Sequence, residues 1–391
     1  MTARPAFLVT IDTEGDDLWS RPREIGTRNA AFLPRFQALC EAHGLKPTWL
    51  VNHEMALCPV FGRFGRAVLA RGTAEIGLHL HAWNSPPLVP LTDDDFRHQP
   101  YLVEYPPALM EEKIVRLLAL LRERFETPVT SHRAGRWALD ATYARLLARH
   151  GIRVDTSVTP GLSWAGMPGA PQGRGGSDYR GFPRRPYRVD LDRIDRADPS
   201  GDSPLLEVPV TLGRSRLHRL APWAYHVPRL RRWAWGHRPM WQWLYPDGRN
   251  LVSMRELFEH RVAAGDPCLV FVLHSSELMP GGSPQSPDEA CIEALYRDLG
   301  VLFGLAARHG EGMTLTEFAQ RWSAGSGLQP YRAPGVQPLS PRGRRVGERG
   351  ECRSPGAHPP LPQPLPRQGG GEEDPRLAPM SRPRITRVTP P

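Results

Sequence analysis

Two histidines stand two residues apart in the apolar stretch "AEIGLHLHAW", residues 74–83. A β-strand puts residues i and i+2 on one face, so His79 and His81 point together. The same spacing in "TIDTEGD" points Asp12 and Glu14 together. Two imidazoles and a carboxylate make a catalytic zinc-type ligand set that leaves one position for water. A second carboxylate beside such a set can act as base toward that water. Other polar residues stand where further apolar segments end: Arg133 in "SHRAGRW", Asp155 in "VDTSV" and His274 in "FVLHSSEL". His53 in "WLVNHEM" is a reserve ligand, Arg136 an alternative to Arg133, and His132 faces away from Arg133 by alternation. Each has an ordinary reading alone, the acids as a solvated loop and the histidines as core groups. As a set they favour a metal site, because buried polar groups without partners are costly.

These residues need elements to position them. Strand-like segments fall at 6–12, 46–52, 74–81, 128–135, 152–158, 205–211 and 268–278. Helical periodicity covers 28–44 (interrupted by Pro34), the second half of 58–72, 106–126, 138–151, 253–265 and 286–310, and 314–322 closes the fold. Strand–helix units repeated over about 300 residues predict a parallel α/β fold, barrel or open sheet. In a (β/α) barrel the C-terminal strand ends share one face, and that face carries the active site. The polar clusters all fall at such ends.

The ordered series of motifs resembles the polysaccharide deacetylase superfamily (NodB homology, carbohydrate esterase family 4), in a divergent branch of the surface-polysaccharide-biosynthesis type. The resemblance spans about residues 6–322. It implies a single distorted (β/α) barrel of the NodB type over 1–325 and hydrolysis of an N-acetyl group on a sugar, nucleotide- or lipid-linked forms included. It implies Asp12 as base, Glu14, His79 and His81 as metal ligands, Arg133 as the residue orienting the base, and His274 as general acid. Asp155 is the expected carboxylate beside His274. The metal would be divalent, zinc foremost, with cobalt or manganese as alternatives. Two departures stand out: the family commonly spaces its histidines four apart, and Thr13 replaces the second member of its usual adjacent Asp pair. An amidohydrolase-like metal barrel and a catalytically silent glycan-binding protein are the competing readings.

Composition limits the remaining classes. The 391-residue chain carries a net charge of +9, but residues 331–391 hold 11 arginines against five acids and so supply six of those charges. That segment also holds 14 of the 43 prolines, a composition that cannot bury a core, so a disordered tail over 326–391 is expected and nucleic acid is disfavoured as a partner. Residues 161–204 read as a long flexible loop on the substrate side. Residues 213–250 form a Trp/Arg-rich insertion with five of the eleven tryptophans: Trp223, Trp233, Trp235, Trp241 and Trp243. Such a mix suits sugars, phosphates or peripheral contact with an anionic membrane. No apolar run reaches the roughly 18–20 residues of a transmembrane helix. The N-terminus does not read as a secretory signal, and five unpaired-looking cysteines suggest reduced thiols, so a cytoplasmic protein is expected.

Overall fold

The computed structural model describes residues 4–220 and 241–324; Trp223, Trp233, Trp235 and the 326–391 segment lie outside the described residues. The strands, in chain order, are β1 (Ala6–Thr13), β2 (Thr48–Val51), β3 (Glu75–Leu80), β4 (Ser131–Ala134), β5 (Val154–Asp155), β6 (Tyr187–Arg188), β7 (Leu206–Glu207), β8 (Leu212–Arg214), β9 (Trp241–Trp243), β10 (Cys268–His274) and β11 (Glu311–Met313). One sheet runs β10-β1-β2-β3-β4-β5-β7-β6, with β11 also paired to β1. Its pairings are parallel except for β6 with β7. β8 and β9 form a separate antiparallel pair. β1 has β10 on one side, and β11 followed by β2 on the other. All eight of its residues are buried, which is why it reads as a continuous apolar run.

Alternation sorts the strands into two faces. Leu8, Leu50, Val154, Leu206, Val270 and Val272 share an inner cluster. Phe7, Val9, Ile76, Leu78, Leu269 and Phe271 belong to an outer cluster with the surrounding helices. The helix Pro107–Phe125 shows how that layer is built. Pro107 stands in its first turn, and Met110, Ile114, Leu117, Leu121 and Phe125 bury one stripe at three- and four-residue spacing. The inner face, followed to the strand ends, leads to Asp12, His79, Arg133 and His274. The outer face leads instead to His132, Asp155 and Glu207.

The expected barrel is present as a curled sheet that stops short of closing, since its end strands, β10 and β6, do not pair. Irregular chain fills the gap: Val210 N donates to Val158 O (2.9 Å), Val270 N to Thr211 Oγ1 (2.8 Å) and Val272 N to Leu244 O (2.9 Å). The seven-residue strands expected at 152–158 and 205–211 shrink to two residues each. Two groups are lost to a ladder there. Pro209 has no N–H to give, and the Thr156 carbonyl is taken by the Arg133 side chain. Pro34 does not interrupt a helix; it sits in the first turn of the helix Leu33–Ala42, and 28–31 forms a separate short turn. Residues 161–204 are irregular but not loose throughout, since Trp164 and Tyr179 are buried. Cys40, Cys58 and Cys268 are buried free thiols, whereas Cys291 is disulfide-bonded, against the expectation of reduced thiols throughout. No helix among the described residues is long and apolar enough to cross a membrane.

Candidate metal and acid–base centre

Strand register assembles the site. Asp12 is the cross-strand partner of His274, and His79 that of Arg133. His79 and His81 therefore meet Asp12, Glu14, Arg133 and His274 at one end of the sheet. Asp12, Glu14, His79, His81 and His274 all line a single cleft of about 370 Å³.

Glu14, His79 and His81 are buried, and their ligand atoms all lie within 4.8 Å of one another. His79 Nε2 is 3.0 Å from His81 Nε2, His81 Nε2 is 2.9 Å from Glu14 Oε2, and His79 Nε2 is 3.6 Å from the same oxygen. Ligands held about 2.1 Å from a tetrahedral ion stand roughly 3.4 Å apart, so this triangle is the right size for one. The lone pairs agree. His79 Nδ1 donates to the Arg133 carbonyl (2.9 Å), which keeps Nε2 free as a ligand. His81 has no hydrogen-bond partner for its buried Nδ1. Burial holds the His81 pKa below its ordinary value. For His79 burial acts the same way, but the charges of Asp12 and Glu14 outweigh it and raise the pKa. Glu14 itself is ionised, because hydrogen bonds from both histidines and the nearby His274 overcome its burial. The three residues fit a divalent cation.

Beside this triangle lie a base and an acid. Arg133, fully buried, donates from Nη1 to Asp12 Oδ1 (2.6 Å), from Nη2 to Thr10 Oγ1 (2.6 Å) and from Nε to Thr156 O (3.1 Å). Burial works to raise the Asp12 pKa, but Arg133, His79 and His274 outweigh it and hold the pKa below the usual range. His274 Nε2 stands 3.8 Å from Asp12 Oδ2 and 3.9 Å from Glu14 Oε1. Burial works against charging this imidazole. The Glu277 hydrogen bond and the carboxylates of Glu14 and Asp12 prevail and push its pKa up to about 9.

Glu277 is a residue the sequence reading missed. Its Oε2 accepts from the His274 backbone N (2.9 Å) and lies 3.3 Å from Nδ1, while its Oε1 accepts from the Tyr245 hydroxyl. The signal was present as an acid three residues after His274, the spacing of a helix capping box. Asp155, expected in this role, lies elsewhere. β5 has Val154 on the inner face, so Asp155 points outward, 2.5 Å from His132 Nδ1 and bonded by Ser157. His132 faces away from Arg133, as alternation requires, with its Nε2 2.7 Å from the Tyr143 hydroxyl. His53 starts a short helix and is not part of the ligand triangle. Arg136 reaches the cleft but bonds the Gln99 and Pro168 carbonyls instead of Asp12. Glu54, also unanticipated, accepts from Gly15 N (3.0 Å), Asn52 (2.6 Å) and Asn84 (2.9 Å), fixing the turn after Glu14.

Aromatic rings form the walls. Trp19, Trp83, Trp137, Trp164, Trp241 and Trp243, six of the eight tryptophans among the described residues, line the cleft. Only the last two come from the Trp/Arg-rich stretch. Trp83 stacks edge-on against His81 at 4.4 Å and Trp19 against His274 at 5.2 Å. Lys113, fully buried, holds the loop carrying Trp83 by donating to the carbonyls of Ala82, Ser85 and Pro87.

No family model matches the chain, and no curated protein matches it. Solved structures do. A structure described as a polysaccharide deacetylase from Mycobacterium smegmatis is similar at 14% identity, over 86% of this chain and 99% of that one, with a TM-score of 0.47. A 4-alpha-glucanotransferase from Thermococcus litoralis is similar at 15% identity, over 82% of this chain and 40% of that one, with a TM-score of 0.46. A structure described as a polysaccharide deacetylase involved in O-antigen biosynthesis, from Bordetella bronchiseptica, is similar at 13% identity, over 78% and 92%, with a TM-score of 0.39. These are likenesses in the course of the chain, and no residue role is carried over from them.

Proposed function

We propose that this chain is a metal-dependent hydrolase that removes an N-acetyl group from a sugar of a surface polysaccharide or its precursor. One observation carries the reading: a three-ligand triangle, an arginine-held carboxylate and an imidazole 3.8 Å from that carboxylate meet in one tryptophan-walled cleft. Glu14, His79 and His81 would hold the divalent cation, with zinc first and cobalt or manganese next. When bound, it would supply Lewis-acid polarisation of the acetamide carbonyl.

The protein's own groups do the rest. Arg133 ties up Asp12 Oδ1 and so turns Oδ2 toward the cleft as the base that takes a proton from the attacking water. Arg133 is a positioning residue. His274, kept protonated chiefly by Glu277, is the acid for the departing amine. Base and acid with pKa values driven apart on opposite sides of neutrality are what acyl transfer to water at neutral pH needs. The indole faces provide apolar platforms for sugar rings. We take 1–325 as one catalytic domain, with 161–204 and 213–250 contributing to the cleft and 326–391 as a tail. The free thiols favour a reducing, cytoplasmic setting, and the Cys291 disulfide is the feature that speaks against it.

The test is acetate release from N-acetylated oligosaccharides by purified protein loaded with Zn²⁺ or Co²⁺, alongside metal analysis of the wild type and a His79→Ala/His81→Ala variant. Metal-dependent release, lost together with the metal in the variant, is expected. Saccharide binding without acetate under any of these metals would favour the silent glycan-binding protein.

A further inference from the structure

The cleft has a second polar end that the proposed hydrolysis does not use. Among the described residues, six non-glycine positions have left-handed backbone: Asp17, Arg21, Gln99, Glu126, Arg136 and Trp137. Four of them (Arg21, Gln99, Arg136 and Trp137) line the cleft. A side chain other than glycine in this region is disfavoured and persists where surrounding structure imposes it, often at ligand sites. The first three are also tied together. Arg136 donates to the Gln99 carbonyl and, at 2.8 Å, to that of Pro168. Arg21 donates to the carbonyl of Arg97, two residues before Gln99 (2.6 Å). Tyr101 supports Arg136 from below, with the guanidinium 4.0 Å from the ring centre.

Two guanidiniums thus face one cleft, and carbonyls are their partners. Neither has a carboxylate at ion-pair distance among the described residues. Glu104 attracts Arg136 only through space, and Arg21 repels it. Each guanidinium has five N–H donors, of which one or two are used here. Two adjacent cations with spare donors and no counter-ion match a phosphate or carboxylate, which guanidinium forks bind by charge-assisted hydrogen bonds.

We propose that the Arg21–Gln99–Arg136 end of the cleft is a subsite for an anionic group, phosphate or carboxylate, carried by the saccharide. This rests on the reading of the cleft as a saccharide site, but binding can be measured apart from hydrolysis. Calorimetric titration would use N-acetylglucosamine 1-phosphate, N-acetylmuramic acid and neutral N-acetylglucosamine, with methyl phosphate as competitor. At least tenfold tighter binding of one or both acidic sugars is expected, shrinking as salt rises. Arg21→Gln/Arg136→Gln should reduce that acid-over-neutral ratio at least tenfold, whereas Arg63→Gln, in the helix Pro59–Ala70 and outside the cleft lining, should preserve it. Preference for the phosphate or for the lactyl-ether carboxylate identifies the anion's source. Equal binding of acidic and neutral sugars by wild-type protein overturns the proposal, and so does a ratio the double variant leaves intact. The wild-type comparison and its salt dependence stand even if the variant does not fold. Anion preference without acetate release would sink the hydrolase reading alone, and acetate release without preference would sink the subsite alone.

Discussion

The two faces of the sheet each bury a cluster of histidine and carboxylates, and the two clusters differ in what their lone pairs meet. On the outer face the Tyr143 hydroxyl, His132, Asp155 and Ser157 form a continuous chain of hydrogen bonds. Glu207 completes it. Its Oε1 accepts from Val158 N, and its buried Oε2 finds no donor, which makes it the place for a proton shared with Asp155. Burial and then the Asp155 charge raise the Glu207 pKa far enough to keep that proton. These groups answer one another, and Tyr143, His132, Asp155, Ser157 and Glu207 are all fully buried. On the inner face two imidazole nitrogens and a carboxylate oxygen converge with no internal group to bind all three, and a 370 Å³ cleft opens over them. Identical residue types therefore give a sealed brace in one case and a receptive site in the other. The distinction lies in which lone pairs are left aimed at common empty space.

Breaking each cluster should give opposite signatures. Asp12→Asn should lower kcat by about 10³-fold, the size of a general-base contribution, while bound metal stays near wild type by elemental analysis. Loss of metal as well would make Asp12 a ligand. His132→Ala, on the sealed side, should cost on the order of 3–5 kcal/mol of stability in urea melts, because it strands buried carboxylates. Its metal content should not change, and a large fall would mean that the two faces are coupled.

Glu277→Gln sharpens the comparison on the open side. His274 must be protonated to act as an acid, so activity falls as pH rises through its pKa, placed at about 9. With the Glu277 charge gone that pKa drops, and the basic limb of the kcat/KM profile should move to lower pH. An unmoved limb would take His274 out of the acid role. The smallest effect is expected from Glu207→Gln. Glu207 has a folded pKa above its unfolded value, so the folded state binds the extra proton and wild-type stability declines as pH rises from about 4.3 toward the folded pKa. Gln keeps the donor and removes the titration. Urea melts at pH 5 and pH 8 should show a smaller difference in the variant than in the wild type.

Much of this was legible in the chain because alternation is a strong rule. It placed His79 with His81, Asp12 with Glu14, and turned His132 away from Arg133. Asp155 obeys the same rule and faces outward with His132. β5 shows two residues of ladder, too few to display a pattern, and its register with His132 comes only from the sheet. Glu277 stands three residues after His274, but the segment reads as a strand, which hides the capping spacing. The tryptophan walls were illegible. Trp19, Trp83, Trp137 and Trp164 come from separate connections, and only the fold brings them to one cleft. The Trp/Arg-rich stretch, prominent in the sequence, supplies Trp241 and Trp243 among the described residues.

The pairing of Asp12 with His274 has a bearing on how this protein comes into being. These groups occupy hydrogen-bonded neighbours, β1 and β10, yet Thr10 Oγ1 and the Phe271 carbonyl, bonded across those strands, are 261 residues apart in the chain. During synthesis the first strand leaves the ribosome long before its partner exists, with an apolar edge to protect meanwhile. Closing so long a loop places this contact among the slowest kinds to form. Chains stopped before residue 268 should thus lack hydrolytic competence altogether, and should be substrates for chaperones and proteases.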